Sequence, residues 1–332
     1  MTTIKDIATK LGVSSGTVSK GLNGADDISE SMRNKILETA VEMGYTKKGI
    51  HRPDTRKLCI FIENMDYYLE DDFGYDILLG FKQAAFKESW DVEVIPVSHD
   101  FQIKRSYDTF MMGRNISGGL LVGFELNDPW MKELPFTKVP TVLFDNYIEE
   151  NTMCGSVGSD SEEGMGLAIS HLASLGHRKI AFLDGPTGSM ISHNRMKAYK
   201  QNMDKHGFAY SNRFTAYGSY SLEAAKEFVP GFLDVGITAI LCSNDTIAFG
   251  VIEECRRMGL SVPEDISVIG YDDVPACESY DPPLTSVRQD RIQLGKCCYY
   301  VLYALVNGVS LSRNLLRTSL TVRESTGPVK SR

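Results

Sequence analysis

One short segment carries side chains that could hydrogen-bond to the bases and phosphates of nucleic acid. Residues 13–23 read Val-Ser-Ser-Gly-Thr-Val-Ser-Lys-Gly-Leu-Asn, a run of hydroxyl groups with one lysine and one amide. Groups of this kind on the outside of a helix can reach base edges in the major groove of duplex DNA. The predicted contact residues in and beside this segment are Thr3, Ser14, Ser15, Gly16, Thr17, Ser19, Lys20 and Asn23.

Two short helices must position these side chains. Apolar residues recur at the i, i+3, i+4, i+7 spacing over residues 4–11, and Thr3 stands where it can cap that helix. Gly12 can end the first helix in a left-handed conformation, and Ser14 or Ser15 can then cap a second. A turn this short, with small polar residues outside, is typical of a helix-turn-helix. The alternative is an ordinary helical bundle.

A third helix, predicted over residues 29–43, closes this small core with Ile36, Leu37, Ala40 and Met43. Charge favours the same end of the chain for nucleic acid. Residues 1–58 contain ten Lys and Arg against seven Asp and Glu, although the whole chain has a net charge of −8. The local field of the contacting face, rather than the sum over the chain, governs binding to phosphate.

The basic residues after the third helix leave two interpretations open. They either contact phosphates or form a solvated linker. Among them, the ones predicted to contact DNA are Lys47, Lys48 and Arg52.

Length and composition bound the remaining possibilities. The chain has 332 residues, 42% hydrophobic and 23% charged, which is ordinary for a globular protein of two or three domains. It shows neither a signal-type apolar segment nor an uninterrupted apolar run of membrane-spanning length, so a cytoplasmic, nucleoid-associated protein is expected. The seven cysteines lack metal-type spacing and are predicted to be reduced. No metal and no cofactor is predicted.

From about residue 57 the pattern changes to strands that alternate with helices. Such alternation predicts parallel sheets covered by helices on both faces. Two series imply two doubly wound lobes, and ligands of such sheets bind beyond the carboxyl ends of the strands. The predicted strands of the two series are 58–62, 92–97, 119–122 and 141–144, then 179–183, 214–217, 239–242 and 266–271. The predicted helices are 75–89, 102–112, 128–134, 161–175, 194–206, 222–233 and 245–258.

Over essentially its full length the chain resembles the lactose-repressor (LacI/GalR) family of transcription regulators. The resemblance rests on the order and spacing of several motifs rather than on any one. They are residues 3–8, 13–23, 44–45, 175–182, 194–199, 243–250, 268–273 and 282–287.

This resemblance implies an α/β architecture: a three-helix DNA-binding domain at residues 1–46, a hinge at 47–57 and a periplasmic-binding-protein-like core at 58–332. The first lobe would comprise 58–157 and 289–318, and the second 158–288 and 319–332. It also implies a homodimer on a near-palindromic operator. The dimer contacts it implies are Ile77, Phe81, Phe249 and Tyr280.

The resemblance also implies an effector in the cleft between the lobes. Asp145, Asp272, Arg195 and Asn244 match family positions that hydrogen-bond to ligand hydroxyls, and Gln289 lies on a crossover nearby. Carboxylates, an amide and a guanidinium together make paired hydrogen bonds to the neighbouring hydroxyls of a sugar.

Three further cleft residues keep two interpretations each. Phe73 and Tyr220 match aromatic positions that stack on a sugar face, although a loop aromatic is often a core residue instead. Arg291 replaces an aromatic residue of the relatives. It signals either an acidic or phosphorylated effector, or an internal ion pair with a carboxylate.

The hinge departs most from the family. Relatives form a short helix there whose leucine inserts into the minor groove, whereas this chain has Pro53 and Asp54. Proline breaks helices, and a carboxylate meets the negative potential of that groove. We therefore predict a hinge that lacks the wedge, with Ile50 as the apolar candidate for insertion and less bending of the DNA.

The sequence thus predicts a DNA-binding transcription regulator, a repressor of carbohydrate-utilisation genes whose operator affinity changes with a sugar-type effector. The alternative is a catabolite-control-type regulator gated by a protein co-regulator. A solute-binding transport protein shares the core but has no use for a DNA-reading end. An enzyme is not predicted, because nucleophile-elbow, phosphate-loop and metal-spaced histidine motifs are not found.

Overall fold

The computed structural model describes residues 2–45, 56–70 and 72–330. Its first three helices are α1 (Ile4–Leu11), α2 (Ser15–Asn23) and α3 (Glu30–Glu42). Their shared core consists of buried residues from all three helices, namely Ile7, Ala8, Val18, Leu22, Ile36, Leu37 and Ala40. The helix-turn-helix predicted from the apolar spacing is confirmed.

The ends of these helices are fixed by local hydrogen bonds. The Thr3 side chain accepts from the Asp6 N–H while the Asp6 carboxylate accepts from the Thr3 N–H, which forms a capping box. Gly12 adopts the left-handed conformation at φ 66°, so a side chain there would be strained. Ser14, rather than Ser15, is the cap of α2, because its Oγ accepts from the Thr17 N–H at 3.0 Å.

The rest of the chain alternates between strands and helices as predicted. In chain order the elements up to the end of the first series are β1 (Lys57–Ile62), α4 (Phe73–Lys87), β2 (Asp91–Pro96), α5 (His99–Lys104), α6 (Tyr107–Gly113), β3 (Gly118–Val122), α7 (Pro129–Glu133) and β4 (Thr141–Phe144). The following elements are β5 (Cys154–Ser159), α8 (Ser161–Ser174), β6 (Ile180–Asp184), α9 (Met190–Lys205), β7 (Thr215–Tyr217), α10 (Ala224–Asp234), β8 (Ala239–Cys242) and α11 (Asp245–Arg257). The last are β9 (Ser267–Asp272), α12 (Ala276–Ser279), β10 (Thr285–Arg288), α13 (Arg291–Val306), β11 (Arg313–Leu316) and β12 (Ser319–Thr321).

Two six-stranded sheets organise these elements, with strand orders β11-β5-β4-β3-β1-β2 and β12-β10-β9-β8-β6-β7. In the first sheet, β1 pairs in parallel with β2 and β3, and β3, β4 and β5 follow in parallel. In the second, every pairing is parallel except that of β10 with β12. This is the doubly wound arrangement expected from the alternating pattern.

The chain divides into two compact units. The first comprises residues 1–65, 78–157 and 295–314, and the second comprises 66–77, 158–294 and 315–332. The helix-turn-helix thus belongs to the first unit, and the start of α4 belongs to the second. The domain boundaries given by the family resemblance stay a prediction.

The local sequence explains two errors in the predicted elements. The helix predicted over residues 102–112 is two helices, α5 and α6, because Arg105 is extended and the Ser106 hydroxyl caps a new helix. Strand β5 was not predicted. Its sequence, Cys-Gly-Ser-Val-Gly-Ser, is rich in small residues of weak strand propensity, yet all six are buried in the sheet.

The described part of the chain contains no helix that is both long enough and apolar enough to cross a membrane.

Two of the four predicted dimer residues are wrong in their placement. Ile77 and Phe81 have no exposed surface, because they face the protomer's own core, where Phe81 packs edge-to-face on Tyr299. On the same helix the exposed apolar side chains are Leu79 and Phe86. Phe249 and Tyr280 are half-buried and stack on each other at 4.2 Å, so their part in a dimer interface remains a prediction.

Candidate functional site

The surface of α2 is open to solvent on the side predicted to read DNA. Thr3, Ser14, Ser15 and Gly16 are exposed, and so are the later residues Lys20 and Asn23. Thr17 and Ser19 are half-buried. Val18 and Leu22 point into the three-helix core. The division between inward and outward residues therefore agrees with the prediction, while the contacts of each residue with DNA stay predicted.

Several of these polar groups already have partners in the free protein. Ser14 and Thr17 share a hydroxyl–hydroxyl bond of 2.9 Å at the start of α2. The Asn23 amide donates to the Ser19 carbonyl at 2.8 Å. Lys20 forms an exposed ion pair with Asp27, which lies just beyond the end of α2. Lys20 must exchange this carboxylate for phosphate when the surface meets DNA.

The predictions for Lys47, Lys48 and Arg52, and those for the hinge at Ile50, Pro53 and Asp54, fall outside the described residues.

A buried guanidinium organises the second unit's share of the predicted effector residues. Arg195 lies in α9, and only 4% of the residue is exposed. It donates to the Ser243 carbonyl and lies 3.8 Å from the centre of the Tyr271 ring. Its Nη2 is 3.9 Å from Oδ1 of Asp272, which ends β9. Arg195 therefore joins α9 to the carboxyl ends of β8 and β9.

Asp272 is the carboxylate at the centre of this arrangement. Its Oδ1 accepts a 2.6 Å hydrogen bond from the Gln289 amide, and its backbone has φ 111°. Burial raises the pKa of Asp272 above its ordinary value, and the nearby Arg195 opposes that rise. The Gln289 Oε1 atom is buried and finds no hydrogen-bond donor among the described residues. The two residues thus offer a guanidinium-backed carboxyl and an amide acceptor from adjoining strands.

Asp245 supports this corner of the site, a role that the sequence did not reveal. It is fully buried at the start of α11, where it accepts from the Ser286 hydroxyl at 2.6 Å and from the Val274 N–H at 2.9 Å. These bonds hold the segment that follows Asp272. Burial, and then the charge of Asp272, raise the pKa of Asp245. Its position directly after Asn244 in a family motif was the available signal.

Arg291 is internally paired, which decides between its two interpretations. Its Nε and Nη2 donate to Oδ2 of Asp76 at 3.1 and 2.9 Å, and its Nη1 donates to the Asp272 carbonyl at 3.3 Å. Only 8% of the residue is exposed. The guanidinium is therefore neutralised by a residue that sequence reasoning missed, since Asp76 lies more than two hundred positions away.

Tyr220 and Asp184 lie beside the first turns of α9. The Tyr220 hydroxyl bonds to Ser192 Oγ at 3.0 Å, and its ring occupies the space that a side chain at Gly185 would need. About a third of Tyr220 is still exposed, at 38%. Asp184 is completely buried at the end of β6, and burial raises its pKa to about 8.

The remaining predicted residues are distributed over both units. Asn244 caps α11, since its Oδ1 accepts from the Ile247 N–H at 2.8 Å. Phe73 begins α4 and is half-buried in the second unit. Asp145 follows β4 in the first unit with φ 54°. The second unit thus brings together Arg195, Asp272, Gln289 and Arg291, whereas Asp145 belongs to the other unit.

Comparison with known proteins decides the family. Residues 3–48 match the model of bacterial regulatory proteins of the lacI family, and residues 169–326 match that of periplasmic binding protein-like domains. The chain belongs to the LacI family. It is 28% identical to the HTH-type transcriptional repressor CytR of Escherichia coli (strain K12), over 98% of this chain and 96% of that protein.

Solved structures of this family superpose on nearly the whole chain. A complex of the transcriptional regulator CelR with cellobiose matches with a TM-score of 0.73 and 26% identity, over 98% of this chain and 100% of that one. A lac repressor dimer bound to operator and the anti-inducer ONPF matches with a TM-score of 0.69 and 25% identity, over 98% and 99%. These LacI-family relatives bear out a DNA-binding regulator with an effector domain, rather than an enzyme.

Proposed function

We propose that this LacI-family protein is a repressor that binds a near-palindromic operator as a homodimer. Its affinity for the operator then changes when an uncharged, hydroxyl-rich molecule of the carbohydrate class binds beside Arg195 and Asp272. The observation that carries the effector class is the buried network of guanidinium, carboxyl and amide groups at the carboxyl ends of β8, β9 and β10. Such groups form paired hydrogen bonds with neighbouring hydroxyls.

The charges of this network argue against an anionic effector. Arg291, the residue that replaces an aromatic of relatives, is held by Asp76 at 2.9 Å. Arg195 is the other buried guanidinium here, and Asp272 lies beside it. Because each cation has its own carboxylate, an incoming phosphate would have to displace a buried partner, and that leaves a carboxylate uncompensated. An uncharged polyol needs no such displacement.

The relatives support the two ends of the proposal. The solved CelR complex contains cellobiose, and the solved lac repressor is a dimer on its operator. We infer the same architecture for this chain: two copies of α2 in successive major grooves of one operator. Effector binding would then bias the core between two conformations of different DNA affinity.

The test is a thermal-shift screen of the purified full chain against neutral mono- and disaccharides, their phosphates and sugar acids. A ligand that binds only the folded state raises the melting temperature by mass action. We expect a neutral sugar to raise the Tm of the wild type and of Asp234→Ala, an exposed acidic position in α10, but not that of Asp272→Ala. A sugar phosphate as the best ligand would overturn the proposed effector class.

Silence across the whole panel would favour the second candidate, a protein co-regulator. Co-purification of a partner that strengthens DNA binding in the absence of any sugar would then replace the sugar proposal.

A further inference from the structure

The helix-turn-helix is attached to the rest of the first unit by a small set of direct contacts with α6. We propose that α6 is a docking platform that holds the helix-turn-helix in a DNA-competent orientation, with Met112 and Arg33 as positioning residues for DNA binding. The proposal concerns how the known DNA-reading domain is held, and it does not depend on the identity of the effector.

The apolar part of the contact comes from the end of α6. Met112 packs against the three-helix core of the helix-turn-helix. A side chain at the next residue, Gly113, would lie 3.1 Å from Cδ1 of Leu37 in α3. That is a tight approach, so the absence of a side chain at position 113 lets α3 come close to α6. A helix surface of this kind stabilises its partner by removing apolar area from water.

The polar part of the contact is one charge-assisted hydrogen bond. Nη2 of Arg33, in α3, donates to the Gly113 carbonyl at 2.6 Å. This carbonyl belongs to the last turn of α6, where backbone oxygens lack partners within the helix and favour a positive charge. The same guanidinium lies against Gly24, the left-handed residue that ends α2, where an added Cβ would be 2.9 Å from Nη2. Arg33 thus touches the end of the reading helix and the platform together.

The platform itself is firmly fixed to the core. Tyr107 and Met111 of α6 have no exposed surface. The Tyr107 N–H donates to the Glu133 carboxylate at 2.7 Å, and its hydroxyl shares a 2.9 Å bond with Thr141 in β4. Strand β4 ends directly before Asp145, one of the predicted effector residues. The docking contact is therefore continuous, through packed and hydrogen-bonded groups, with a strand that leads to the effector residues.

Docking leaves the reading surface free, which is why we assign it to DNA binding rather than to autoinhibition. Ser14, Ser15, Gly16 and Lys20 remain exposed while α3 and the end of α2 lie against α6. Holding a recognition element in its bound orientation removes part of the ordering cost of association. Undocking should therefore weaken DNA binding although it removes no DNA contact.

The experiment measures docking and DNA affinity separately, in the full chain. A fluorophore at exposed Thr9 of α1 reports the tumbling of the helix-turn-helix through the decay of its anisotropy. The DNA probe is a duplex selected from a random pool by the wild type itself. The variants are Met112→Asp on the platform, Arg33→Ala on α3 and the double variant. Ile103→Asp, at a 63% exposed position of α5, is the matched control.

We expect the wild type and Ile103→Asp to tumble as one body and to bind the duplex equally well. Met112→Asp and Arg33→Ala should each add a fast tumbling component and weaken binding by about tenfold. Because both variants break the same contact, the double variant should be no weaker than Met112→Asp alone. A fast component in the wild type, or unchanged affinity in both single variants with the helix-turn-helix still folded, would overturn the proposal.

Discussion

The DNA-reading surface and the effector network use similar polar groups in opposite settings. The reading surface on α2 is exposed, and its hydroxyl, amide and ammonium groups bond to residues within a few positions, as Lys20 does to Asp27. The network around Arg195 is buried, and its partners lie tens of positions apart, as the 77 positions from Arg195 to Asp272 illustrate. Changes on the first surface should thus alter affinity alone, whereas changes in the second should alter stability as well.

Removal of the buried guanidinium should give the largest effect. Arg195→Leu leaves Asp272 buried without its cation, and we expect the free energy of unfolding to fall by about 3 kcal/mol. Denaturant unfolding of the second unit measures this, and Lys200→Leu, at an exposed position of the same helix, is the control. An Arg195→Leu protein as stable as this control would mean that the buried network does not stabilise the fold.

A pH-dependent loss of stability is expected from Asp184. Burial raises its pKa to about 8, so the folded state keeps a proton that the unfolded state has already released. Stability should therefore fall as the pH rises from the ordinary carboxyl value towards about 8, and Asp184→Asn should remove this slope. Relative to the wild type, Asp184→Asn should gain about 2 kcal/mol between pH 5 and pH 7.

Urea unfolding at a series of pH values measures that slope. Asp234→Asn, at an exposed position, serves as the control. Parallel curves for the wild type and Asp184→Asn would show that Asp184 is ionised in the folded protein, and would make this end of β6 resemble the reading surface.

Loss of the exposed lysine should affect DNA binding but not folding. Lys20→Ala should weaken binding to a selected duplex by about tenfold and lower the salt dependence of binding by about one phosphate contact. Binding measured over a range of salt concentrations, together with an unchanged melting temperature, tests both halves of the contrast. A clear drop in the melting temperature would show that the reading surface is also structural.

The smallest expected effect comes from the partner of Lys20. Asp27→Asn frees the lysine and removes one negative charge from the face that meets phosphate. We expect duplex affinity to rise about threefold at low salt, a gain that disappears as salt screens the surface. Asp234→Asn, an equal change of charge in the second unit, should leave affinity unchanged. Equal gains in both variants would indicate an effect of net charge alone.

The same contrast explains what the sequence could predict. The helix-turn-helix follows from local signals, and the structure confirms the capping box at Thr3 and the left-handed Gly12. Where two local signals compete, the prediction fails: the cap at Ser106 divides one expected helix into α5 and α6. Strand β5 fails for another reason, because burial between neighbouring strands overrides its small residues.

The effector network could not be derived from spacing at all. The predicted residues Arg195, Asp272 and Gln289 came from family resemblance, because only the folded sheet brings three separate strand ends together. Asp76 and Asp184 were missed, since neither stands in a family motif and a single carboxylate in sequence does not reveal its partner. The error at Ile77 and Phe81 has the same origin, since an apolar helix face reads alike whether it packs inward or outward.

The ion pair between Arg291 and Asp76 also constrains how this protein can change over generations. Replacing Arg291 alone by an aromatic residue would leave the Asp76 carboxylate without its cation, and replacing Asp76 alone would leave a buried guanidinium without its anion. Each single step towards a stacking site therefore passes through a less stable protein. The two positions are expected to change together, so descendants of this chain should inherit its preference as a linked pair.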